Sequence, residues 1–316
     1  VKDPLPLVSI CVPTYNSAGY LRESLHSILR QTYPHVEIVV SDNASTDGTL
    51  AILREYEGRQ QVRVLTNEVN RGAGFNFNRL IEAARGELVA IYHSDDVYEP
   101  TIVQESVKPF LAEPEVGMVG TMGHLIDVSG IRQFTFDLPR WLKQQHKLCL
   151  NFDDLLRGIV TSCGTRTLII TPTIMVRKSV YGELGLFDEK RYKSSGDYEM
   201  WLRIGRKYAF AVIDQPLINY RVHPQQGSER ELRRNLKVGD IAAVIEEYAS
   251  FAVSSQVKRL CRKFIDQQVL RAALRQNRSG LFGESSGTLA QCSSNNYRGA
   301  RCLLRFANAC HFRIRR

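Results

Sequence analysis

Four aspartates stand where a carboxylate can do chemistry. Asp42 ends the apolar run Val36-Glu37-Ile38-Val39-Val40, Asp95 and Asp96 follow Glu87-Leu88-Val89-Ala90-Ile91-Tyr92, and Asp197 precedes a helical pattern holding Trp201, Leu202 and Arg203. Asp95 and Asp96 are neighbouring anions that repel each other unless a cation or solvent separates them. A hard divalent ion bridging to phosphate oxygens resolves that conflict, since Mg2+ takes few protein carboxylates and prefers phosphate. Mn2+ is equally compatible. The Asp42 carboxylate can accept from a base or ribose donor, and it can also open an Asx turn. Asp197 reads as an acid favoured by the dipole of the helix it starts, or as a general base that takes a proton from a hydroxyl.

The elements that must position these groups follow a β-α-β-α rhythm through the first half. Leu7 to Val12, Val36 to Val40, Val62 to Leu65 and Glu87 to Tyr92 read as strands. Between them lie helical patterns, the first with Leu21, Leu25, Ile28 and Leu29 at i, i+4, i+7 and i+8, the second capped by Ser45-Thr46-Asp47, the third following Arg71-Gly72. Such a rhythm predicts a mostly parallel sheet with helices on both faces. Each strand ends in a polar cluster: Pro13-Thr14-Tyr15-Asn16, Ser41-Asp42-Asn43, Asn70-Arg71-Gly72 and Ser94-Asp95-Asp96. Capping and turns explain any one of them. Four at successive strand ends predict one cleft at the carboxyl edge of the sheet, where open parallel sheets bind ligands.

From about residue 116 the pattern loosens. Val116 to Val119, His124 to Val128, Thr173 to Val176 and Leu217 to Val222 read as strands, Ser129-Gly130 as a hairpin turn, and Asp153 to Val160 and Tyr198 to Tyr208 as helices. Residues 229–277 read as helical, and 278–316 fit no pattern.

The composition is that of a globular protein, with 43% hydrophobic and 24% charged residues, enough to bury a core in 316 residues. No apolar run is long enough to span a bilayer. The first residues lack the apolar stretch of a signal peptide, so cytoplasmic residence is the expectation. Seven scattered cysteines without a C-x-x-C pair suit reduced thiols better than a disulfide framework. The net charge of +9 is uneven: residues 1–229 carry 25 Lys/Arg against 27 Asp/Glu, and residues 230–316 carry 17 against 6. A basic tail on a near-neutral body points to an anionic partner. Within it, Val257, Leu260, Cys261, Phe264 and Gln268 share a helical face. That helix suits either the inner surface of a membrane or packing on the preceding domain with its basic face solvated. No aromatic-basic interleaving supports nucleic acid, and none is expected as a partner.

Residues 8 to about 223 resemble a glycosyltransferase family 2 catalytic domain of the GT-A fold. The likeness rests on Val8-Ser9-Ile10-Cys11-Val12-Pro13-Thr14-Tyr15-Asn16, on Val40 to Thr49, on Asn70-Arg71-Gly72, on Ser94-Asp95-Asp96, and on Gly196-Asp197-Tyr198-Glu199-Met200-Trp201-Leu202-Arg203. The implied fold is a Rossmann-like α/β sheet in a GT-A domain at 1–228, its nucleotide-sugar half about 1–115 and its acceptor half about 116–228. A basic helical extension at 229–316 follows. The resemblance implies an inverting, metal-dependent transfer from a nucleotide-diphosphate sugar, with UDP-sugars favoured, onto a hydroxyl of a glycan or lipid-linked glycan. It implies donor binding by Pro13, Thr14, Tyr15, Asn16, Asp42, Asn43, Arg71, Gly72, Ser94 and Asp96, with Asp42 reading the base. It also implies Asp95 as metal ligand and Asp197 as catalytic base. His223 resembles a C-terminal histidine that completes the metal site in many GT-A enzymes. The sequence departs from the Asp-x-Asp pattern at His93 and has Gly196 where Glu is common. A nucleotidyltransferase would share the strand-end site but needs a Gly-rich loop with Lys, which is missing. A catalytically silent nucleotide- or carbohydrate-binding scaffold would not need Asp197.

Overall fold

The structure is a computed structural model that describes residues 5–145, 148–192, 194–226, 236–292 and 296–314. Four strands alternate with helices first: β1 (Val8–Thr14), α1 (Leu21–Leu29), β2 (Val36–Asp42), α2 (Thr49–Arg54), β3 (Val62–Thr66), α3 (Ala73–Ala83) and β4 (Leu88–Ile91). Then come β5 (Val97–Tyr98), α4 (Ile102–Ala112), β6 (Val116–Ile126), β7 (Arg132–Thr135), α5 (Arg140–Gln145), β8 (Cys149–Leu150) and α6 (Phe152–Thr161). The chain continues through β9 (Met175–Arg177), α7 (Lys178–Leu184), α8 (Gly196–Gly205) and β10 (Ala209–Arg221) to the helices α9 (Ile241–Ala249), α10 (Ser255–Arg278), α11 (Phe282–Ala290) and α12 (Arg298–Ala309).

The sheet runs β3-β2-β1-β4-β9-β6-β10-β5, with β7 beside β6 and β8 beside β10. β1 to β4 are parallel, so their carboxyl ends share one edge as the polar clusters predicted. β9 enters antiparallel between β4 and β6, which no periodicity announced. β10 lies parallel to β6 and antiparallel to β5, pairing Ile218 with Tyr98 and Asn219 with Val97. That pairing brings Arg221 and His223 to the turn holding Asp95 and Asp96.

Apolar alternation along the strands feeds both faces, as expected of a covered parallel sheet. Val8, Ile10 and Val12 point to one side with Leu21, Leu25 and Ile28 of α1 and with α4, while Cys11, Val39 and Val89 point to the other with α3, α6 and α8. The result is an α/β fold: a central, mostly parallel sheet with helices on both faces.

Three local expectations are corrected. The two short strands read at 116–119 and 124–128 are one continuous β6, because every residue from Val116 to His124 is buried and the small Gly117, Gly120 and Gly123 let neighbouring side chains press against the backbone. α2 starts at Thr49 with no side-chain cap on Gly48; the Ser45 hydroxyl is already committed to Asp42, and Asp47 instead receives the Thr49 N–H. Residues 278–316, patternless in sequence, hold α11 and α12, folded on α10 around Ala273, Leu289 and Leu304.

The helical extension also shares the main core. Val244, Ile245 and Tyr248 of α9, and Val257 and Cys261 of α10, are buried in the cluster that contains Leu155 of α6 and Trp201 of α8. The apolar face of α10 is therefore turned onto the protein at its N-terminal end. Among the described residues, no helix is long and apolar enough to cross a membrane.

Candidate active site

The donor side is built where β1 and β2 end together, Thr14 opposite Asp42. Asp42 is fully buried and accepts from the Thr14 hydroxyl at 3.1 Å, the Ser45 hydroxyl at 2.6 Å and the Ser45 N–H at 2.9 Å. The Asx turn and the binding reading thus share one carboxylate, and the turn is present. Asn16 (φ 50°) accepts from the Thr46 N–H at 2.8 Å, tying the β1 loop to the β2 loop. Pro13 is the last strand residue before Thr14, and Tyr15 beyond it is exposed.

Asn43 uses all of its amide. Its Nδ2 donates to Asn70 Oδ1 at 2.9 Å and the Gly72 carbonyl at 3.0 Å, and its Oδ1 accepts from Asn67 Nδ2 at 2.9 Å and the Arg71 N–H at 3.1 Å. Asn43 is thus a clamp for the Asn70-Arg71-Gly72 loop. Gly72 sits at φ 90° at the entry to α3, a conformation that side-chain-bearing residues rarely adopt. The Arg71 guanidinium lies 3.5 Å from the Phe75 ring centroid, which holds a cation at this edge of the sheet.

The acidic turn after β4 is the centre of the site. Ligand atoms of His93, Asp95 and Asp96 all lie within 4.8 Å of one another. Ser94 faces Ser17 of the β1 loop at 2.8 Å, joining this turn to the donor side. His223 Nε2 meets Asp95 Oδ2 at 3.0 Å. Burial opposes the charge on Asp95, yet the His223 hydrogen bond and the nearby imidazoles hold its carboxyl below the ordinary range. The same bond raises His223 above the ordinary histidine value.

Asp96 is a member of this cluster and is also tied into the fold. It is fully buried, and its Oδ1 accepts the Arg221 N–H at 2.8 Å. Burial and then repulsion from Asp95 push its carboxyl well above the ordinary range, against the pull of Arg221. One oxygen thus braces the turn, while Oδ2 has no hydrogen-bond partner among the described residues.

Arg221, overlooked in the sequence, organises the turn. Its guanidinium is buried and donates to the Asp95 carbonyl at 2.9 Å, to the Asp127 carbonyl at 3.2 Å and to Glu23 at 2.6 Å, over the Tyr20 ring. The Tyr20 ring in turn contacts His223 at 4.7 Å between centroids. Its charge could have been noticed beside His223, but nothing local distinguishes it from a surface arginine. Arg221→Met strips the donors from these carbonyls and the cation from buried Asp96, and is expected to lower unfolding stability by about 3–5 kcal/mol in urea denaturation.

Asp197 sits in the first turn of α8, facing the acidic turn. Its Oδ2 accepts from the Thr171 hydroxyl at 2.7 Å and its Oδ1 from the Tyr198 N–H at 2.8 Å. Burial raises its carboxyl above the ordinary value, while those two bonds pull the other way. Both Asp95 and Asp197 favour the charged form of His93, though burial outweighs them and keeps its pKa low. Thr171 was missed because it sits in a single 3-10 turn, Thr171–Thr173, whose only sequence signal is Thr-Pro-Thr. The approach to α8 is gripped from the helical extension: Asp240 accepts from the N–H groups and hydroxyls of Ser194 and Ser195, at 2.5 to 3.3 Å.

A divalent ion fits this donor set. Asp95 supplies a hard oxygen, His223 Nε2 stands beside it, and His93 Nε2 is buried with no hydrogen-bond partner among the described residues. Carboxylate with imidazole suits Mn2+ and, with phosphate oxygens added, Mg2+.

Comparison with known proteins agrees with this architecture. Residues 9–168 match Glycosyl transferase family 2. A glycosyltransferase of Rickettsia typhi, itself uncharacterized, is 30% identical over 229 residues, covering 72% of this chain and 68% of that protein. A second, from Rickettsia felis, is 30% identical over 233 residues, but the chain spans only 36% of its length. TuaG of Bacillus subtilis, a glycosyltransferase ascribed to teichuronic acid biosynthesis, is 28% identical over 219 residues, 69% of this chain and 79% of that one. Among solved structures, S. aureus TarS 1-349 in complex with UDP superposes with a TM-score of 0.62 at 21% identity, over 97% of this chain and 89% of that one. The mannosyltransferase PcManGT of Pyrobaculum calidifontis, in complex with GDP-Man and Mn2+, gives 0.60 at 20% identity, over 98% and 81%. The chain belongs to glycosyl transferase family 2: it is a glycosyltransferase with the GT-A fold.

Proposed function

We propose that this glycosyltransferase moves a sugar from a nucleotide-diphosphate donor, a UDP-sugar first among candidates, to a hydroxyl of a glycan or lipid-linked glycan, with inversion at the anomeric carbon. The chemistry resides in residues 1–228, and 229–316 supports it through the helices that share its core. One observation carries the reading: the Asp95–His223 pair, and His93 within electrostatic reach of both Asp95 and Asp197, lie at the carboxyl edge of the sheet where the Asp42 loop also ends.

In this reading Asp42, with Thr14 and Tyr15, holds the base, and Asn16, Asn43, Gly72 and Ser94 shape the donor pocket. Arg71 offsets the negative charge of the diphosphate. Asp95 and His223 would hold Mg2+ or Mn2+, which when bound neutralises charge on the leaving diphosphate. Asp197 takes the proton of the acceptor hydroxyl as its oxygen bonds to the anomeric carbon and the bond from that carbon to the phosphate oxygen breaks. A single displacement from the opposite face inverts the configuration and needs no second nucleophilic carboxylate. Two solved proteins of similar fold support both donor types, one in complex with UDP-GlcNAc and one with GDP-Man and Mn2+.

Thermal-shift measurements with UDP, GDP and dTDP, with and without Mn2+, test the donor site. One nucleotide is expected to raise the melting temperature in a metal-dependent way; at a hundredfold excess over Kd the gain is about 2.7 kcal/mol. No shift with any of them would defeat the transferase reading and move the chain to the silent scaffolds.

A further inference from the structure

The C-terminal helix α12 carries an apolar strip that the fold leaves uncovered. Leu304, Ala307 and Asn308 face α10 and α11 and are buried. At about 100° per residue, Cys302, Leu303, Phe306 and Cys310 occupy a separate arc about 100° wide. Leu303 is 61% exposed and Phe306 68%. Arg298, Arg301 and Arg305 fall together on the flank between the strip and the buried face, by the same helical arithmetic.

The strip continues past the helix on backbone that is tied down. Phe312 is 61% exposed, yet its N–H donates to the Ala307 carbonyl at 2.8 Å and its carbonyl accepts from Asn277 Nδ2 at 3.0 Å. Asn277 Oδ1 accepts the Ile314 N–H at 2.9 Å, and Asn277 is itself buried against Asn308. The ring is thus held outward by a buried amide network and is not a frayed end.

Charge selects the occupant. From Ser285 to Arg316 the sequence has six arginines, at 298, 301, 305, 313, 315 and 316, and no aspartate or glutamate. A second copy of the chain would set this arginine row against an identical one. An anionic lipid surface meets both halves of the pattern: phosphate headgroups for the guanidinium forks, and the headgroup–acyl boundary for leucine and phenylalanine. We propose that α12 and the Phe312 segment form a docking surface for an anionic bilayer, with Leu303, Phe306 and Phe312 entering the interface and Arg298 and Arg305 on phosphate. This surface is separate from α10, whose N-terminal apolar face is occupied, and it does not depend on how the donor site is read.

Sedimentation of the 316-residue chain with vesicles tests it. The chain is expected to pellet with phosphatidylglycerol–phosphatidylcholine vesicles and to stay in solution with phosphatidylcholine alone. Leu303→Ser with Phe306→Ser, and separately Arg298→Glu with Arg305→Glu, should each weaken anionic-vesicle binding by about tenfold or more. All four side chains are exposed, so thermal unfolding should be unchanged in both variants and a folding defect is read separately. Wild-type chain that ignores anionic vesicles, or variants that bind as well as wild type, overturn the proposal. A lipid-free change of mass caused by Phe306→Ser also overturns it, because the strip is then a contact between copies.

Discussion

Asp197→Asn is expected to lower kcat by about 10²–10⁴-fold, the usual contribution of a positioned general base, with donor KM within about twofold of wild type. The amide keeps the shape and its one oxygen can still accept the Tyr198 N–H, while its NH2 group can donate to the Thr171 hydroxyl once that hydroxyl turns, so the fold and donor pocket stay intact while proton acceptance is lost. The pH profile adds a second readout. A protonated Asp197 cannot take a proton, so the rate falls as pH drops through its pKa. Burial raises that pKa, which places the acid limb above the range of an ordinary exposed aspartate. The Thr171 hydroxyl favours the ionised form, so Thr171→Val should move the limb to still higher pH. A variant Asp197→Asn that keeps more than about a tenth of wild-type kcat would show that another group accepts the proton.

Asp95→Ala is expected to reduce product formation by about 10²–10³-fold and to abolish the metal dependence of nucleotide binding in the thermal-shift assay. Asp95 is the one carboxylate of the turn that is both ionised and turned toward a partner, His223, at 3.0 Å. Its neighbour Asp96 is the poorer anionic ligand, because one oxygen is bonded to the Arg221 N–H and burial raises its carboxyl well above the ordinary range. Two measurements separate loss of metal from loss of fold: the unfolding midpoint of the nucleotide-free variant, and its residual nucleotide shift without Mn2+. An Asp95→Ala chain that still binds nucleotide more tightly with Mn2+ would move the ion to other ligands.

Much of the donor half was legible because it is local. The period-2 strands, the i, i+4, i+7 helices and the polar residue after each strand are short-range consequences of backbone geometry. Parallel strands then force their carboxyl ends onto one edge. Asp42, Asn43 and Gly72 could be placed there without coordinates, since each sits within two residues of a strand or helix end. The family resemblance supplied the roles that spacing alone left open, above all for Asp197.

What the sequence by itself determined was therefore the α/β class, the order of the first four strands with their helices, the acidic turn and the basic excess of the last third. The tertiary structure alone decided how the two acids of the turn are partnered, Asp95 with His223 and Asp96 with the Arg221 N–H. It set His223, 128 residues away and already implied by the family resemblance, at 3.0 Å from Asp95. It alone made Arg221 and Thr171 partners of the site. It also consumed the apolar face at the start of α10 in the main core and left that of α12 outside. The physical reason is the same in each case: strand and helix periodicity act over a few residues, whereas long-range pairing and burial depend on which surfaces meet when the whole chain packs.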